Sequence, residues 1–207
     1  LPLHFWLPRA YASATAPVAA LFAVMTKVGL YAILRFGTLV FGDEAGAASG
    51  LGSNLLWVLA LLTMALAALG AFAANSLGSL LAYLVLVSVG TLLAGIAVGT
   101  EATIAASLYY LIHSTWVIAG LFLLSDIIAK QRADLGGGLK VGPPLLNPHL
   151  LGASFFLGAI AVAGLPPFSG FLGKVLLLQA VSDTAAWQLW SVVLVSGLVG
   201  VIGLSGG

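Results

Sequence analysis

Three side chains that can carry a proton lie inside long apolar stretches of the sequence: Lys27, His113 and Lys174. Lys27 is at the centre of an apolar segment covering residues 14–41, and His113 is within one turn of the centre of another, 103–128. Inserting an ionisable group at that depth of a bilayer costs about 2.5 kcal/mol or more. Histidine titrates near neutral pH, and burial disfavours the charged form of a lysine. These residue types at this depth indicate proton transfer within a membrane.

Each of the three also has a structural interpretation. A lysine side chain reaches about 6 Å, which does not clear half of a ~30 Å hydrocarbon core, so snorkelling explains Lys27 poorly. The depth of Lys174 depends on how its segment sits in the bilayer. His113 is equally compatible with a hydrogen bond to a neighbouring helix.

The composition requires a membrane around these groups. The 207 residues include only 7 Lys and Arg and 6 Asp and Glu, whereas 61% are hydrophobic and the mean hydropathy is +1.18. Such a chain cannot supply the polar surface of a soluble domain. A net charge of +1 argues against a nucleic-acid binder with a basic face.

The gaps between charged residues delimit the membrane-spanning segments. No Asp, Glu, Lys or Arg occurs between Glu44 and Glu101, and Asn75 to Ser79 form the only polar break in that stretch. A span needs about 20 residues, so the stretch holds two helices. We expect an all-α, polytopic transmembrane helix bundle of about six crossings, with helices near residues 14–41, 55–74, 79–99, 103–128, 149–183 and 187–205.

The fifth of these segments is too long for one uninterrupted crossing. Pro166 and Pro167 remove two backbone donors and disfavour the α conformation before them, so we expect a break near residues 164–168, with Gly170 just beyond it. Lys174 then lies in the second half-helix. Broken helices are tolerated only inside protein or beside a water-filled cavity, and they are typical of transporters.

Loop charges predict the orientation. Four basic residues and one acid belong to one side, and four acids belong to the other: Arg9, Lys130, Arg132, Lys140 and Asp134 against Asp43, Glu44, Glu101 and Asp183. The positive-inside rule then makes residues 1–12 and 129–148 cytoplasmic.

Since residue 1 is Leu and the chain stops directly after an apolar run, we also expect an internal segment of a longer polytopic protein.

Other candidates have plainer explanations. Four residues are candidates for a supporting role in proton transfer: Arg35, Asp126, Tyr83 and Ser88. Arg35 and Asp126 lie toward helix ends, which favours interfacial or structural roles, and Tyr83 is typical of a packing or interfacial aromatic residue. The sequence has no phosphate-binding loop, no HExxH, no metal-ligand spacing of histidines and no cysteine. We therefore expect no catalytic, cofactor or metal site.

Several motifs resemble one family across nearly the whole chain. The stretch from Leu1 to Pro8 is similar to the PxHxWLPxA signature of the proton-translocating antiporter-like family, which includes large subunits of multisubunit (Mrp-type) cation/H⁺ antiporters and membrane-arm subunits of complex I. The match continues through MTKVGLYAILRF around Lys27, LAY at Tyr83, LIHST at His113 and GLPPFSGFLGK before and including Lys174. These motifs are most similar to those of the D-type antiporter subunits.

The resemblance implies an antiporter-like fold with broken helices, built from inverted five-helix repeats, of which this chain would cover the second half of the seventh helix to the thirteenth. It implies proton translocation by Lys27, His113 and Lys174, as counterparts of ionisable residues on the eighth, eleventh and twelfth helices. It also implies a place in the bacterial inner membrane, other antiporter subunits as partners, and H⁺ with Na⁺ or K⁺ as cargo.

The sequence departs from the family pattern in places. Arg9 stands where many relatives have Asp, Ser88 where many have His, and Val117 and Ile118 where many have Lys. The connection from Lys27 to His113 is therefore the weakest part of the expected proton path. Two alternatives stay open: a membrane subunit of a redox complex, such as complex I or a membrane-bound hydrogenase, and a stand-alone transporter of small solutes.

Overall fold

The computed structural model describes residues 5–132, 136–139, 145–181 and 183–205. In these ranges the regular structure is helical: a 3₁₀ segment, Asp43–Ala48, and eight α-helices, α1 (Trp6–Ser13), α2 (Ala16–Val40), α3 (Ser53–Phe72), α4 (Leu77–Val98), α5 (Glu101–Gln131), α6 (Pro148–Ala163), α7 (Ser169–Ala180) and α8 (Asp183–Ser205). The predicted all-α class is confirmed. Residues 1–4 of the first motif, and Asp134 and Lys140 of the predicted cytoplasmic loop, lie outside the described residues.

Four of the described segments are long and apolar enough to cross a membrane: Ala16–Val40, Ala45–Phe72, Leu77–Val98 and Glu101–Gln131. Shorter apolar helices follow at Pro148–Ala163, Ser169–Ala180 and Ala186–Gly200. Large apolar side chains on α2, α3 and α5 are exposed, as expected for surfaces that face lipid or another membrane helix. The architecture is that of a multi-pass membrane protein.

Local sequence explains where several helices begin and end. Ser76 and Thr100 precede α4 and α5 in extended conformation, and their hydroxyls accept hydrogen bonds from the N–H groups of Ser79 and Thr103. These caps satisfy donors that have no intrahelical partner. Gly99 ends α4 at φ +73°, a conformation that favours glycine.

α1 was not predicted from the apolar pattern, although the resemblance implied half a helix at this end of the chain. Ala14 and Thr15 adopt extended backbone after it, and Pro17, which lacks an N–H, lies in the first turn of α2. Leu7 and Tyr11 are buried, so α1 is part of the bundle.

α4 is the central element of the bundle. About 72% of the most apolar stretch of α4 is buried inside the structure, against 22–33% of the corresponding stretches in the other three long spans. Its amino-terminal half packs with α1, α2, α3 and α5 in one buried cluster, and its carboxy-terminal half packs with α2, α3, α5, α7 and α8 in another. Glycines allow the close approaches: a Cβ at Gly90 would meet Met64 of α3, and one at Gly70 would meet the Tyr83 ring.

Candidate functional site: buried cationic side chains around a broken helix

Lys27 projects from α2 into the bundle. It shares one buried face of the helix with Ala19, Ala23 and Leu30, and only 3% of its surface is exposed. The small side chains at four-residue spacing allow α2 to approach its neighbours closely. Lys27 Nζ donates a hydrogen bond of 2.5 Å to Oγ of Ser88 on α4.

The partner of Lys27 is neutral. Ser88 Oγ accepts from the lysine and donates its own proton to the carbonyl oxygen of Val85 at 2.7 Å. Among the described residues, the ion pair that the structure contains is Lys130–Asp126, far along the chain from Lys27. A carboxylate would hold a buried lysine in its charged form, whereas a hydroxyl can accept a hydrogen bond from either the charged or the neutral amine.

The second group of residues surrounds the break between α6 and α7, which confirms the predicted broken helix. Gly164 follows α6 at φ +78°, and the N–H groups of Gly164 and Leu165 both bond to the Ile160 carbonyl. In a continuous helix the carbonyls of Ala161 and Ala163 would accept from residues 165 and 167. Leu165 is diverted and Pro167 has no N–H, so the Ala163 carbonyl needs another donor, and the Ala161 carbonyl, which accepts from the Gly164 N–H at 3.3 Å, has room for a second one.

Lys174 supplies one of these donors. Its Nζ donates to the Ala163 carbonyl oxygen at 2.8 Å, and 6% of its surface is exposed. The approach requires glycine at position 164, because a Cβ there would lie 2.7 Å from Lys174 Cδ and 3.0 Å from Nζ. The proline break thus creates an acceptor, and the lysine of the next half-helix fills it.

His113 on α5 supplies the other. Its Nε2 lies 3.1 Å from the Ala161 carbonyl oxygen, and its Nδ1 lies 2.7 Å from Oγ of Ser169, the first residue of α7. Gly170 makes room for the ring, because a Cβ at that position would crowd both Nε2 and the Ala161 carbonyl. His113 therefore bridges the two half-helices.

The carboxyl end of α6 thus has two titratable side chains on it, from α5 and α7. Helix-end carbonyls carry partial negative charge and stabilise cations, and His113 and Lys174 interact electrostatically with each other. Lys27 forms a separate site between α2 and α4. No hydrogen bond among the described residues joins Lys27 to His113.

The other sequence candidates lie away from this region. Arg35 is exposed in the last turns of α2. Asp126 forms an i,i+4 ion pair of 2.6 Å with Lys130 near the end of α5. Tyr83 lies against Gly70 of α3. These positions are those of surface or packing residues.

Sequence reasoning missed three parts of the site: the Ser169 hydroxyl and the carbonyls of Ala161 and Ala163. Ser169 is part of the GLPPFSGFLGK motif, but its residue type did not indicate a contact with His113. Every residue has a main-chain carbonyl, so residue types do not single one out. For Ala163 the signal was Pro167, because a proline in a helix leaves the carbonyl four residues earlier without its donor. The Ala161 carbonyl had no such signal, because its helical donor, the Leu165 N–H, is diverted to the Ile160 carbonyl.

The described cavities and possible metal ligands do not coincide with this site. The larger cavity, about 840 Å³, is mainly apolar and lies between the ends of α2 and α4 and the start of α3. A smaller one of about 250 Å³ is lined by α1, α5 and neighbouring loop residues, including Tyr11 and Asp126. Among the described residues, no three His, Cys, Asp or Glu side chains form a group that could hold a metal.

Known proteins are similar to this chain in sequence and in fold. The D-type subunit of a probable K⁺/H⁺ antiporter from Rhizobium meliloti is 38% identical over 234 residues, which cover 99% of this chain and 43% of that protein. A chain of the Mrp complex from Dietzia sp. superposes with a TM-score of 0.83 at 28% identity, covering 100% of this chain and 38% of that one. A chain of respiratory complex I from Thermus thermophilus gives 0.83 at 29% identity, with 100% and 44% covered.

The chain therefore spans about two fifths of the length of these proteins. Its residues 1–200 match the family described as NADH:quinone oxidoreductase/Mrp antiporter, TM. The match extends over Lys27, the His113 region and the broken helix with Lys174. On sequence and fold together, the chain belongs to the NADH:quinone oxidoreductase/Mrp antiporter transmembrane family.

Proposed function

We propose that this chain is part of the proton-conducting subunit of a multisubunit monovalent cation/H⁺ antiporter of the bacterial inner membrane. The complex exchanges H⁺ for Na⁺ or K⁺, and other membrane subunits complete it. This subunit performs no covalent chemistry. The similarity to a D-type antiporter subunit at 38% identity supports this assignment over more distant roles within the family.

One observation carries the proposal: two lysines are buried in the bundle on neutral oxygen acceptors, Ser88 Oγ for Lys27 and the Ala163 carbonyl for Lys174. Lysines kept only for stability would be expected to have a carboxylate partner, because a buried unpaired charge is costly. Neutral acceptors tolerate both the charged and the uncharged amine, which a proton carrier requires.

The arrangement supports transfer by alternating charge. A proton held at Lys174 or His113 raises the electrostatic potential at the other, since both lie at the carboxyl end of α6. Loading one group therefore favours unloading of the other. Lys27 is the next proton carrier. Water between α2 and α5 completes the transfer between His113 and Lys27, which no direct hydrogen bond among the described residues makes.

A proton-pumping subunit of a redox complex is the second candidate, because the Thermus thermophilus complex I chain matches the fold as well as the Mrp chain does. In that case the same residues would move protons while quinone or hydrogen chemistry occurs in other subunits. A stand-alone solute transporter fits less well, since the larger described cavity is mainly apolar.

Everted membrane vesicles distinguish the first two candidates. We expect vesicles that contain the full-length protein with its complex, from a host without other cation/H⁺ antiporters, to release an imposed pH gradient when Na⁺ or K⁺ is added. Neighbouring genes should encode further antiporter subunits. Lack of any cation response, with proton pumping only on addition of NADH or hydrogen, would contradict the antiporter proposal and support the redox alternative.

A further inference from the structure

We infer that His113 gains and loses its transported proton at Nδ1 only, and that the Ser169 hydroxyl is the group that passes it. This inference rests on the proposed function, in which His113 carries protons. It follows from the different partners of the two ring nitrogens.

The Nε2 side of the ring is closed to proton exchange. Its partner at 3.1 Å is the Ala161 carbonyl oxygen, which can only accept a hydrogen bond. Nε2 therefore carries a hydrogen in both the neutral and the doubly protonated ring. Ala161 and Gly170, which border this nitrogen, are buried, so no other acceptor competes for that hydrogen there.

The Nδ1 side has a partner that can reverse its role. Ser169 Oγ lies 2.7 Å away, and a hydroxyl both donates and accepts. In the neutral ring Nδ1 carries no hydrogen and accepts a hydrogen bond from the Ser169 hydroxyl. In the protonated ring Nδ1 donates to Ser169 Oγ, and the hydroxyl hydrogen turns outward.

Ser169 is also the more exposed member of the pair in this chain. Its side chain is exposed, whereas His113 is half-buried and Ser114 beside it is buried. A proton arriving on this side therefore meets Ser169 before it meets the ring. The hydroxyl stands at the first residue of α7, directly across the break from the end of α6.

The transfer balances in one step. A proton from hydronium forms a new O–H bond at Ser169 Oγ while the original hydroxyl proton leaves the oxygen and forms an N–H bond at Nδ1. The serine ends neutral, the ring gains one positive charge, and a water molecule remains outside. Release is the reverse, so His113 stores a proton on one side and does not conduct through the ring.

Other charged or titratable groups at the ring do not offer an equivalent route. Lys174 on α7 acts on His113 electrostatically, and its amine is bonded to the Ala163 carbonyl. Tyr110 on α5 has its ring centroid 6.3 Å from that of His113. Among the described residues, the Ala161 carbonyl is the hydrogen-bond partner that α6 offers to the His113 ring.

The test compares two variants of the same shape, Ser169→Thr and Ser169→Val, in the full-length antiporter complex in everted vesicles. We expect cation-driven proton flux to stay within about twofold of the original in Ser169→Thr and to fall about tenfold or more in Ser169→Val, at equal assembly, since positioned proton transfer contributes factors of this size or greater. Ser191→Ala is the control, because this exposed hydroxyl donates to the Trp187 carbonyl of its own helix. Its flux should not change.

Equal flux in Ser169→Thr and Ser169→Val would overturn the inference, as would loss of flux in both at normal assembly. If the larger side chains prevent assembly, Ser169→Ala replaces them, with tenfold loss expected and normal flux contradictory. Lys27→Ala in the same series distinguishes a failure of the Ser169 relay from a failure of the proposed proton path. Lost flux in Lys27→Ala with full flux in Ser169→Val refutes only the relay, whereas full flux in Lys27→Ala refutes the proposed proton path itself.

Discussion

At the scale of the residue, the buried lysines are distinguished by what accepts their hydrogen bonds. Lys27 uses a side-chain hydroxyl from α4, and Lys174 uses a main-chain carbonyl from the end of α6. The first acceptor is removable by substitution, but the second is part of the backbone. This difference makes Ser88 the direct test of how Lys27 is held.

Ser88→Ala should leave the Lys27 ammonium without its acceptor. A buried polar group without a partner costs about 1–3 kcal/mol, more when charged, so we expect a lower thermal midpoint of the purified complex and reduced proton flux. Ser196→Ala is the matched control, because that buried hydroxyl donates to the Val193 carbonyl of its own helix. Equal effects of the two substitutions on flux would contradict a specific role for Ser88.

The depth argument located Lys27, His113 and Lys174 from the sequence, because a charge-poor chain makes each ionisable residue in an apolar run conspicuous. It did not show that His113 and Lys174 meet at the end of α6 while Lys27 lies apart. That grouping depends on which helices are neighbours, and apolar helices of similar composition carry little information about their partners.

At the scale of the element, the break between α6 and α7 organises the site. Pro167 leaves the Ala163 carbonyl without its helical donor, glycines provide space, and side chains from α5 and α7 donate hydrogen bonds to the Ala161 and Ala163 carbonyls. The break was predictable from Pro166 and Pro167. The small helix α1 was not predictable from hydropathy, since eight residues are too few to register as a span.

Gly170→Ala should displace the His113 ring. The added Cβ would collide with His113 Nε2 and the Ala161 carbonyl, so we expect proton flux to fall at least tenfold or assembly to fail. The control is Gly152→Ala in α6, where a Cβ meets nothing within 4 Å. Flux from Gly170→Ala equal to that of the control would show that the His113 contact is dispensable.

Gly164→Ala and Gly99→Ala form a second pair. Both glycines follow a helix at φ near +75°, so alanine at either should cost roughly 1–2 kcal/mol in stability. Only at Gly164 does the new Cβ also crowd Lys174. We expect similar losses of thermal stability but a larger loss of flux in Gly164→Ala. A flux ratio near one would argue against a role for Lys174 in transport.

At the scale of the whole molecule, the few charges divide into those that set topology and those inside the bundle. Lys130 and Asp126 pair near the end of α5, where Lys130 is largely exposed. The predicted cytoplasmic face comprises residues 1–12 and 129–148, and the same prediction assigns Asp43 and Glu44 to the opposite face.

Single cysteines in a cysteine-free full-length protein test that orientation. We expect Lys130→Cys to react with a membrane-impermeant maleimide only in everted vesicles. Ala47→Cys, which is exposed in the 3₁₀ segment, should react only in spheroplasts. The chain itself contains no native cysteine to replace. The opposite labelling pattern would invert the assignment of the two faces.

The central claim is that the buried cations carry protons. Its most direct test is cation-driven proton flux in everted vesicles containing the full-length complex with Lys27→Ala, Lys174→Ala or the exposed control Lys130→Ala, which removes an ion pair worth about 0–1 kcal/mol. The account predicts at least tenfold loss of flux in each of the first two and no change in the third, at equal assembly. Unchanged flux in either Lys27→Ala or Lys174→Ala would contradict it.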